Sequence, residues 1–133
     1  MNIALMAHDG RKELMIQFCI AYYGIFVKHT LCATNTTGRL VSEATGLPIE
    51  LLMSCNQGGG KQICSRIEYN EIDLVLFFCD PELVDDYHKN VMDIVSQCDR
   101  KNVPFASNVA TAEVLIRGLE RGDMQWRDII NSR

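Results

Sequence analysis

The sequence lacks an excess of positive charge. Its 13 Lys and Arg residues are outnumbered by 17 Asp and Glu residues, so the formal net charge at pH 7 is −4. Binding to a nucleic-acid backbone needs clustered, excess Lys and Arg, and we therefore expect no nucleic-acid partner. No apolar run approaches the roughly 20 residues that span a bilayer. The first residues also lack the features of a signal peptide, so we expect a cytoplasmic protein without a membrane partner.

Two kinds of ligand-binding motif are missing as well. No two of the six cysteines are separated by two to four residues, which is the spacing that zinc ligands show. Several cysteines lie in apolar runs, as in Leu76-Phe77-Phe78-Cys79, and we expect reduced, buried thiols and no metal site. The nucleotide fingerprints GxGxxG and GxxxxGK[ST] are both absent.

What the chain does contain is an ordinary globular composition. Of its 133 residues, 47% are hydrophobic and 23% are charged, which is typical of one domain, here residues 1–133. Short apolar runs predict strands over residues 2–7, 29–34, 49–53, 72–79 and 103–106. The amphipathic stretches between them predict helices over 11–26, from Thr36 to just before Gly46, after Gly60, over 86–100 and over 109–121. One more helical turn is expected near 126–130, packed on the body.

Five strands that alternate with helices predict an α/β fold with a mainly parallel five-stranded sheet. Right-handed crossovers place helices on both faces of such a sheet, which makes a three-layer sandwich. Leu14, Phe18, Ala21 and Ile25 are expected to face the core from the first helix, and Val114, Leu115 and Leu119 from the last. In folds of this kind, ligands bind at the carboxyl ends of the strands.

Polar residues follow every predicted strand. Two of these turns have the properties of an anion site, because a helix begins there and the helix dipole favours negative charge. Thr34, Thr36 and Thr37 follow the second strand, and Gly58-Gly59-Gly60 follow the third. Lys12 and Lys61 add positive charge nearby. The alternative is that these residues are plain helix caps and turns.

Two carboxylates and two histidines are the candidates for acid–base chemistry. Asp9 and Asp80 directly follow buried strands and would share one edge of the sheet, where neighbouring carboxylates have their pKa values pushed apart. Each of them equally fits the role of a turn cap. His8 and His88 are candidate proton donors, although a lone histidine is more often structural, as we expect for His29.

Four segments in order along the chain resemble motifs of the methylglyoxal synthase family. The family's AHD motif corresponds to residues 7–9, with Lys12 at the matching distance. Its ATGTTG loop corresponds to residues 33–38, which read ATNTTG. Its FFxDP segment corresponds to residues 77–81 and its TNxATA segment to residues 107–112, which read SNVATA. The resemblance covers nearly the whole chain.

The resemblance implies a flavodoxin-like α/β sandwich that assembles as a homohexamer and acts on dihydroxyacetone phosphate. In the family, a carboxylate removes a carbon-bound proton, and the resulting enediolate expels inorganic phosphate to give methylglyoxal. Neither a metal nor an organic cofactor is needed. By resemblance, Asp9 and Asp80 belong to the catalytic group, and a further set surrounds the substrate phosphate: Lys12, Thr34, Thr36, Thr37, Gly58 and Gly59.

The chain departs from the family pattern at positions that carry the chemistry. The family's glycine loop reads GGDxQ and its aspartate is the proposed base, whereas here Gly60 stands at that position. An ungapped alignment places Tyr87 at the family's histidine and Asn90 at a second acid, and only a one-residue shift brings His88 into register. Asn35 replaces a glycine of the phosphate loop. Two hypotheses follow: a methylglyoxal synthase with crippled turnover, or a non-catalytic sensor of a phosphorylated metabolite.

Overall fold

The computed structural model describes residues 1–54, 57–83 and 86–131, with the backbone alone for residues 86–89. Five parallel strands form one sheet with the order β3-β2-β1-β4-β5. The strands are β1 (Asn2–Ala7), β2 (Thr30–Thr34), β3 (Ile49–Leu52), β4 (Leu74–Phe78) and β5 (Phe105–Ala106). The strand order reverses direction between β1 and β4, so a crevice is expected where these two strands end.

Helices connect the strands in the described part of the chain. A 3₁₀ helix (Asp9–Arg11) precedes the α-helices, which are α1 (Lys12–Ala21), α2 (Tyr23–Phe26), α3 (Asn35–Thr45), α4 (Gly59–Glu68), α5 (Asp86–Lys101), α6 (Val109–Arg121) and α7 (Trp126–Asn131). None of the helices within the described ranges is both long enough and apolar enough to cross a membrane.

The core lies in two layers, one on each face of the sheet. Successive residues of a strand point to opposite faces. Ile3 and Leu5 therefore join one cluster, which α1, α3 and α6 cover, and Ala4 and Met6 join the other, which α4 and α5 cover. This arrangement is the α/β sandwich with a five-stranded parallel sheet that the sequence predicts. The single-domain boundary of 1–133 stays a prediction.

The boundaries of three elements differ from the predicted ones by more than one residue. The helix expected over 11–26 is broken at Tyr22, because α1 ends at Ala21 and α2 begins at Tyr23. The strand expected over 72–79 is shorter, and only two residues of 103–106 pair with β4. Helix α3 ends directly before Gly46, as predicted. The predicted strands were too long because apolar runs extend beyond the residues that have a partner strand.

Some apolar residues that were expected in the core are exposed. On α1, Met15, Phe18 and Cys19 are buried, while Leu14 and Ala21 are exposed. Val114 of α6 is exposed too, and Ile129 of α7 is 81% exposed. The expectation that Leu14, Ala21 and Val114 face the core is therefore wrong. Helix α7 packs on the body through the buried Arg127 and not through Ile129. Spacing identifies an apolar face of a helix, but contact with the sheet decides which side chains of that face are covered.

A buried charge anchors the C-terminal part of the described chain. Arg127 is 1% exposed, and its Nε donates a hydrogen bond to Asp73 Oδ1 at 3.1 Å. Its Nη1 donates to the carbonyl of Asn102 at 2.6 Å, and the other carboxylate oxygen of Asp73 accepts from the N–H of Asn2 at 2.8 Å. A buried charge is tolerated only when it is paired and hydrogen-bonded. The pair therefore fixes α7 beside the amino ends of β1 and β4.

Candidate functional site

Most of the predicted site residues lie along one edge of the sheet, where the strands end. Because β2 and β1 are neighbours in the sheet, the segment that begins α3 lies beside the segment that carries Lys12. Helix α4 begins after β3, on the other side of β2. The turns after β1 and β4 meet at the reversal point of the strand order.

The start of α3 has the properties of an anion-binding site. Thr34 is its N-cap residue and makes no side-chain hydrogen bond to the helix backbone. Thr37 is 1% exposed, and its hydroxyl finds no hydrogen-bond partner among the described residues. Thr36 is exposed, and Asn35 begins the helix. A buried hydroxyl without a partner costs free energy, which a bound phosphate oxygen at the helix N-terminus would recover.

Lys12 lies at the carboxyl end of β1 and is held in place by its neighbours. Its Nζ donates to the carbonyl of Ala7 at 2.7 Å and lies 3.2 Å from Asp9 Oδ1. The side chain of Lys12 is 17% exposed, whereas that of Asp9 is 95% exposed. Asp9 is thus an outer, solvated partner of Lys12, and the ammonium group is the more sheltered of the two charges.

Backbone geometry requires glycine at two positions of the glycine loop, residues 58–60. Gly58 has φ of +105°, a conformation that residues with a Cβ rarely adopt. A Cβ on Gly59 would clash with the carbonyl oxygen of Met53, so the backbone just after β3 leaves no room for a side chain. Gln62 holds the start of α4 to the residue that follows β3, because its Oε1 accepts a hydrogen bond from the N–H of Met53 at 2.7 Å.

Gly60 has neither of these constraints, and it faces Asn90 of α5. It is buried in the first turn of α4 with an ordinary backbone conformation. A Cβ built on Gly60 would lie 3.9 Å from both Cβ and Cγ of Asn90, at ordinary van der Waals distance. The two positions at which the resemblance expects acids therefore face each other, such that a side chain at position 60 would contact Asn90, and neither of them carries a carboxylate here.

His8 and Asp80 meet where the ends of β1 and β4 adjoin. His8 is buried, and its Nδ1 accepts a hydrogen bond from the backbone N–H of Asp80 at 2.8 Å. Oδ1 of Asp80 accepts from the N–H of Glu82 at 3.0 Å and so caps the next turn. Its Oδ2 lies beside Gly10, where an added Cβ would be 2.9 Å away. The carboxylates of Asp80 and Asp9 thus have separate partners, and Asp80 takes the turn-capping role that the sequence left open.

A cleft of about 620 Å³ lies next to this point, at the ends of β4 and β5. Nε of Arg11 donates to the carbonyl of Cys79 at 3.3 Å on one side, and Asn108 lies at the start of α6 on the other. Burial raises the pKa of the Cys79 thiol to about 11, so it is a neutral thiol at physiological pH. The predicted phosphate-binding residues lie outside the lining of this cleft.

Other predicted residues are placed elsewhere or fall outside the description. His29 lies at the opposite end of the sheet, where its Nδ1 is 3.1 Å from the terminal amine of Met1. The side chains of Tyr87 and His88 lie outside the described residues, so the expected role of His88 stays a prediction. Within the described ranges, no three His, Cys, Asp or Glu side chains form a metal-ligand cluster. The described cysteines are free thiols, three of them buried and two partly buried: Cys19, Cys32, Cys98, Cys64 and Cys79.

Sequence reasoning missed two features of this edge. Gln62 was not singled out, although its place in the GGGKQ segment was a signal that it supports the loop. The proximity of positions 60 and 90 had no local signal, because 30 residues separate the two positions and they lie on different helices.

Comparison with known proteins identifies the relatives of this chain. The family model described as "MGS-like domain" matches residues 15–107. A methylglyoxal synthase from Caldicellulosiruptor saccharolyticus is 52% identical over 133 residues, which are 100% of this chain and 94% of that protein. One from Thermoanaerobacter pseudethanolicus is 46% identical over 129 residues, covering 97% of this chain and 98% of the relative.

A solved structure agrees with the sequence relatives. The crystal structure of methylglyoxal synthase from Elizabethkingia anophelis NUHP1 superposes with a TM-score of 0.77 at 34% sequence identity. The match covers 86% of this chain and 76% of that one. Family model, full-length relatives and fold all lead to one assignment, and the chain belongs to the methylglyoxal synthase family.

Proposed function

We propose that this protein binds dihydroxyacetone phosphate, or a similar small phosphorylated ligand, with the phosphate at the start of α3. The single observation that carries the proposal is the hydroxyl of Thr37, which is buried at a helix N-terminus without a described partner. Lys12 supplies a sheltered positive charge at the neighbouring strand end. Backbone N–H groups, hydroxyls and one ammonium group are the donors that a phosphate monoester needs.

We propose further that the elimination of phosphate from this ligand is slow. The reaction begins when a base removes a proton from the hydroxymethyl carbon, which gives an enediolate between this carbon and the former carbonyl carbon. Its electrons then expel inorganic phosphate from the other CH2 carbon, and the resulting enol takes up a proton to become methylglyoxal. A positioned base contributes about 10²- to 10⁴-fold, and glycine cannot accept a proton. Asp9 and Asp80 are the candidate carboxylates among the described residues, but one is solvated beside Lys12 and the other caps a turn.

A non-catalytic sensor of phosphorylated metabolites is the second candidate. The neighbouring positions 60 and 90 favour it, because both of them lack an acid while the start of α3 keeps its anion-binding features. Such a protein would bind its ligand reversibly and release it unchanged.

One experiment on the purified full chain separates these functions. Calorimetric titration with dihydroxyacetone phosphate measures binding, and a parallel assay measures methylglyoxal. Binding with slow product formation supports the crippled enzyme, and binding without product supports the sensor. If neither dihydroxyacetone phosphate nor inorganic phosphate binds, the proposed site itself is wrong.

We infer that the protein forms a homo-oligomer, a hexamer by its resemblance to the family, and works in the cytoplasm. The exposed apolar side chains of Val114, Ile129 and Ile130 support an assembly that covers them. The free thiols among the described residues support a reducing compartment. Light scattering at micromolar concentration tests the assembly, and a monomer would contradict it.

A further inference from the structure

We propose that the cleft between the starts of α1 and α6 binds a small carboxylate that carries an apolar chain. This α1–α6 cleft is lined by residues 11, 14, 78–79, 81 and 107–109, and its volume is about 620 Å³. Sites that enclose small molecules have volumes of about 300–1,000 Å³. The predicted phosphate-binding residues lie outside the lining, so the inference concerns a second site and goes beyond the proposed function.

Four apolar side chains line the α1–α6 cleft. Leu14 and Val109 approach it from α1 and α6, and Phe78 and Pro81 from the end of β4 and the turn that follows. Leu14 has the spacing of a core residue, yet it is 43% exposed. A leucine exposed at the wall of a cavity leaves apolar surface in water, and an apolar ligand would cover that surface. This lining favours a hydrocarbon chain over a sugar or a nucleotide.

Arg11 brings a positive charge to the same cleft. Its Nε donates a hydrogen bond to the carbonyl of Cys79 at 3.3 Å, which fixes the guanidinium group at the end of β4. Neither of its two Nη groups has a hydrogen-bond or ion-pair partner among the described residues. A guanidinium group binds a carboxylate through two parallel N–H donors, and apolar surroundings strengthen the attraction. The two Nη groups of Arg11 therefore select an acid.

The other polar groups of the cleft agree with an anionic ligand. Ser107 and Asn108 also line it, and Oδ1 of Asn108 accepts from the N–H of Thr111, which leaves the NH₂ group as a donor. No acidic side chain is found among the described residues of the lining. Asp80 lies nearby in the chain, but its Oδ1 caps the next turn. A carboxylate in the cleft therefore meets donors and no like charge.

Octanoate and octanamide test the inference, because they share one chain and nearly one shape but differ in charge. Calorimetry with the full chain should give a dissociation constant for octanoate at least about tenfold lower than that for octanamide. Hexanoate should bind about tenfold more weakly than octanoate, since two fewer methylene groups are buried. A saturating concentration of inorganic phosphate should not displace octanoate.

Variants on the two sides of the ligand locate it in the cleft. Arg11→Met keeps an apolar stem without the charge and should remove the preference for octanoate over octanamide. Leu14→Gln should weaken both ligands by about fivefold and retain the preference, because it removes apolar contact only. Thr37→Val alters the proposed phosphate position and is the matched control, so it should leave both dissociation constants unchanged.

The outcomes separate this inference from the proposed function. If the unmodified chain does not bind octanoate, or binds octanamide equally well, the inference is wrong and the proposed function stands. Competition between octanoate and phosphate also overturns it, because the acid would then lie at the start of α3. A folded Arg11→Met variant that keeps the preference leads to the same conclusion. Arg11→Gln replaces Arg11→Met if that variant does not fold.

Discussion

The ring of His8 accepts a hydrogen bond from the backbone N–H of Asp80 across the ends of β1 and β4, with 2.8 Å between Nδ1 and the amide nitrogen. Because Nδ1 is the acceptor, the proton of the neutral ring lies on Nε2. The side chain of Phe77 packs edge-on against the ring at 5.1 Å between centroids. His8 therefore positions the turn that carries Asp80.

This relationship predicts a change in the protection of one amide. His8→Ala should speed hydrogen exchange at the Asp80 N–H by about tenfold or more, since the amide loses its acceptor. His8→Asn should largely preserve protection, because the amide oxygen of Asn replaces Nδ1. NMR exchange rates of the Asp80 amide measure both effects. Unchanged exchange in His8→Ala would show that the hydrogen bond does not hold the turn.

Thr37 should matter for binding and not for folding. Thr37→Val removes a buried hydroxyl that lacks a described partner, so the free energy of unfolding should stay the same or rise by up to about 1 kcal/mol. Affinity for dihydroxyacetone phosphate should fall by about tenfold, since a phosphate oxygen loses a donor. Urea denaturation and calorimetry measure the two quantities.

Thr45→Val is the matched control for that variant. The hydroxyl of Thr45 donates to the carbonyl of Val41 at 2.7 Å and accepts from the N–H of Leu47 at 3.1 Å. Its removal should lower the free energy of unfolding by about 1 kcal/mol and leave phosphate affinity unchanged. A Thr37→Val variant that behaves like this control would remove Thr37 from the site.

Adjacent glycines should respond differently to the same substitution. Gly59→Ala should destabilise the protein by at least about 2 kcal/mol, because the new Cβ would clash with the carbonyl of Met53. Gly60→Ala should leave stability unchanged or raise it by up to about 1 kcal/mol, since the position is helical and has room. Urea denaturation of both variants measures this difference, and equal losses would contradict the geometry of the loop.

The Arg127–Asp73 pair should contribute to stability without affecting the site. Arg127→Ala leaves the buried carboxylate of Asp73 without its positively charged partner and should cost about 3–5 kcal/mol of unfolding free energy. The pair lies at the amino ends of the strands, opposite the proposed phosphate position, so the affinity of the folded variant for phosphate should not change. Thermal unfolding and calorimetry measure the two effects. A loss below about 1 kcal/mol would show that the pair is not needed.

The sequence predicted the local elements well and the contacts between them poorly. Ile63, Ile67 and the apolar residues after position 72 are buried in the core. The periodicity of apolar residues along the sequence indicates such burial, and so these elements could be predicted. The strand order, in which β4 pairs with β1, follows from packing of the whole chain.

The candidate site shows the same division. Thr37 was predicted as a candidate anion ligand from its residue type and its position at a helix start, and its role as a ligand stays a prediction. The His8–Asp80 bond spans 72 residues, and its existence depends on how two strands align. Leu14 was placed in the core by its spacing, but its exposure is decided by which side of α1 faces the sheet.

We propose that the chain binds a triose phosphate but lacks a working base. The most direct test is the rate at which the unmodified protein and the Gly60→Asp variant form methylglyoxal. At saturating dihydroxyacetone phosphate, the unmodified protein should form methylglyoxal at least about a hundredfold more slowly than a typical kcat of about 10 s⁻¹. Gly60→Asp should raise this rate, because Gly60 has room for the side chain at an ordinary φ. A kcat near 10 s⁻¹ for the unmodified protein would contradict the slow turnover proposed here and show that another group removes the proton. Asp9→Asn and Asp80→Asn would then be the first variants to make.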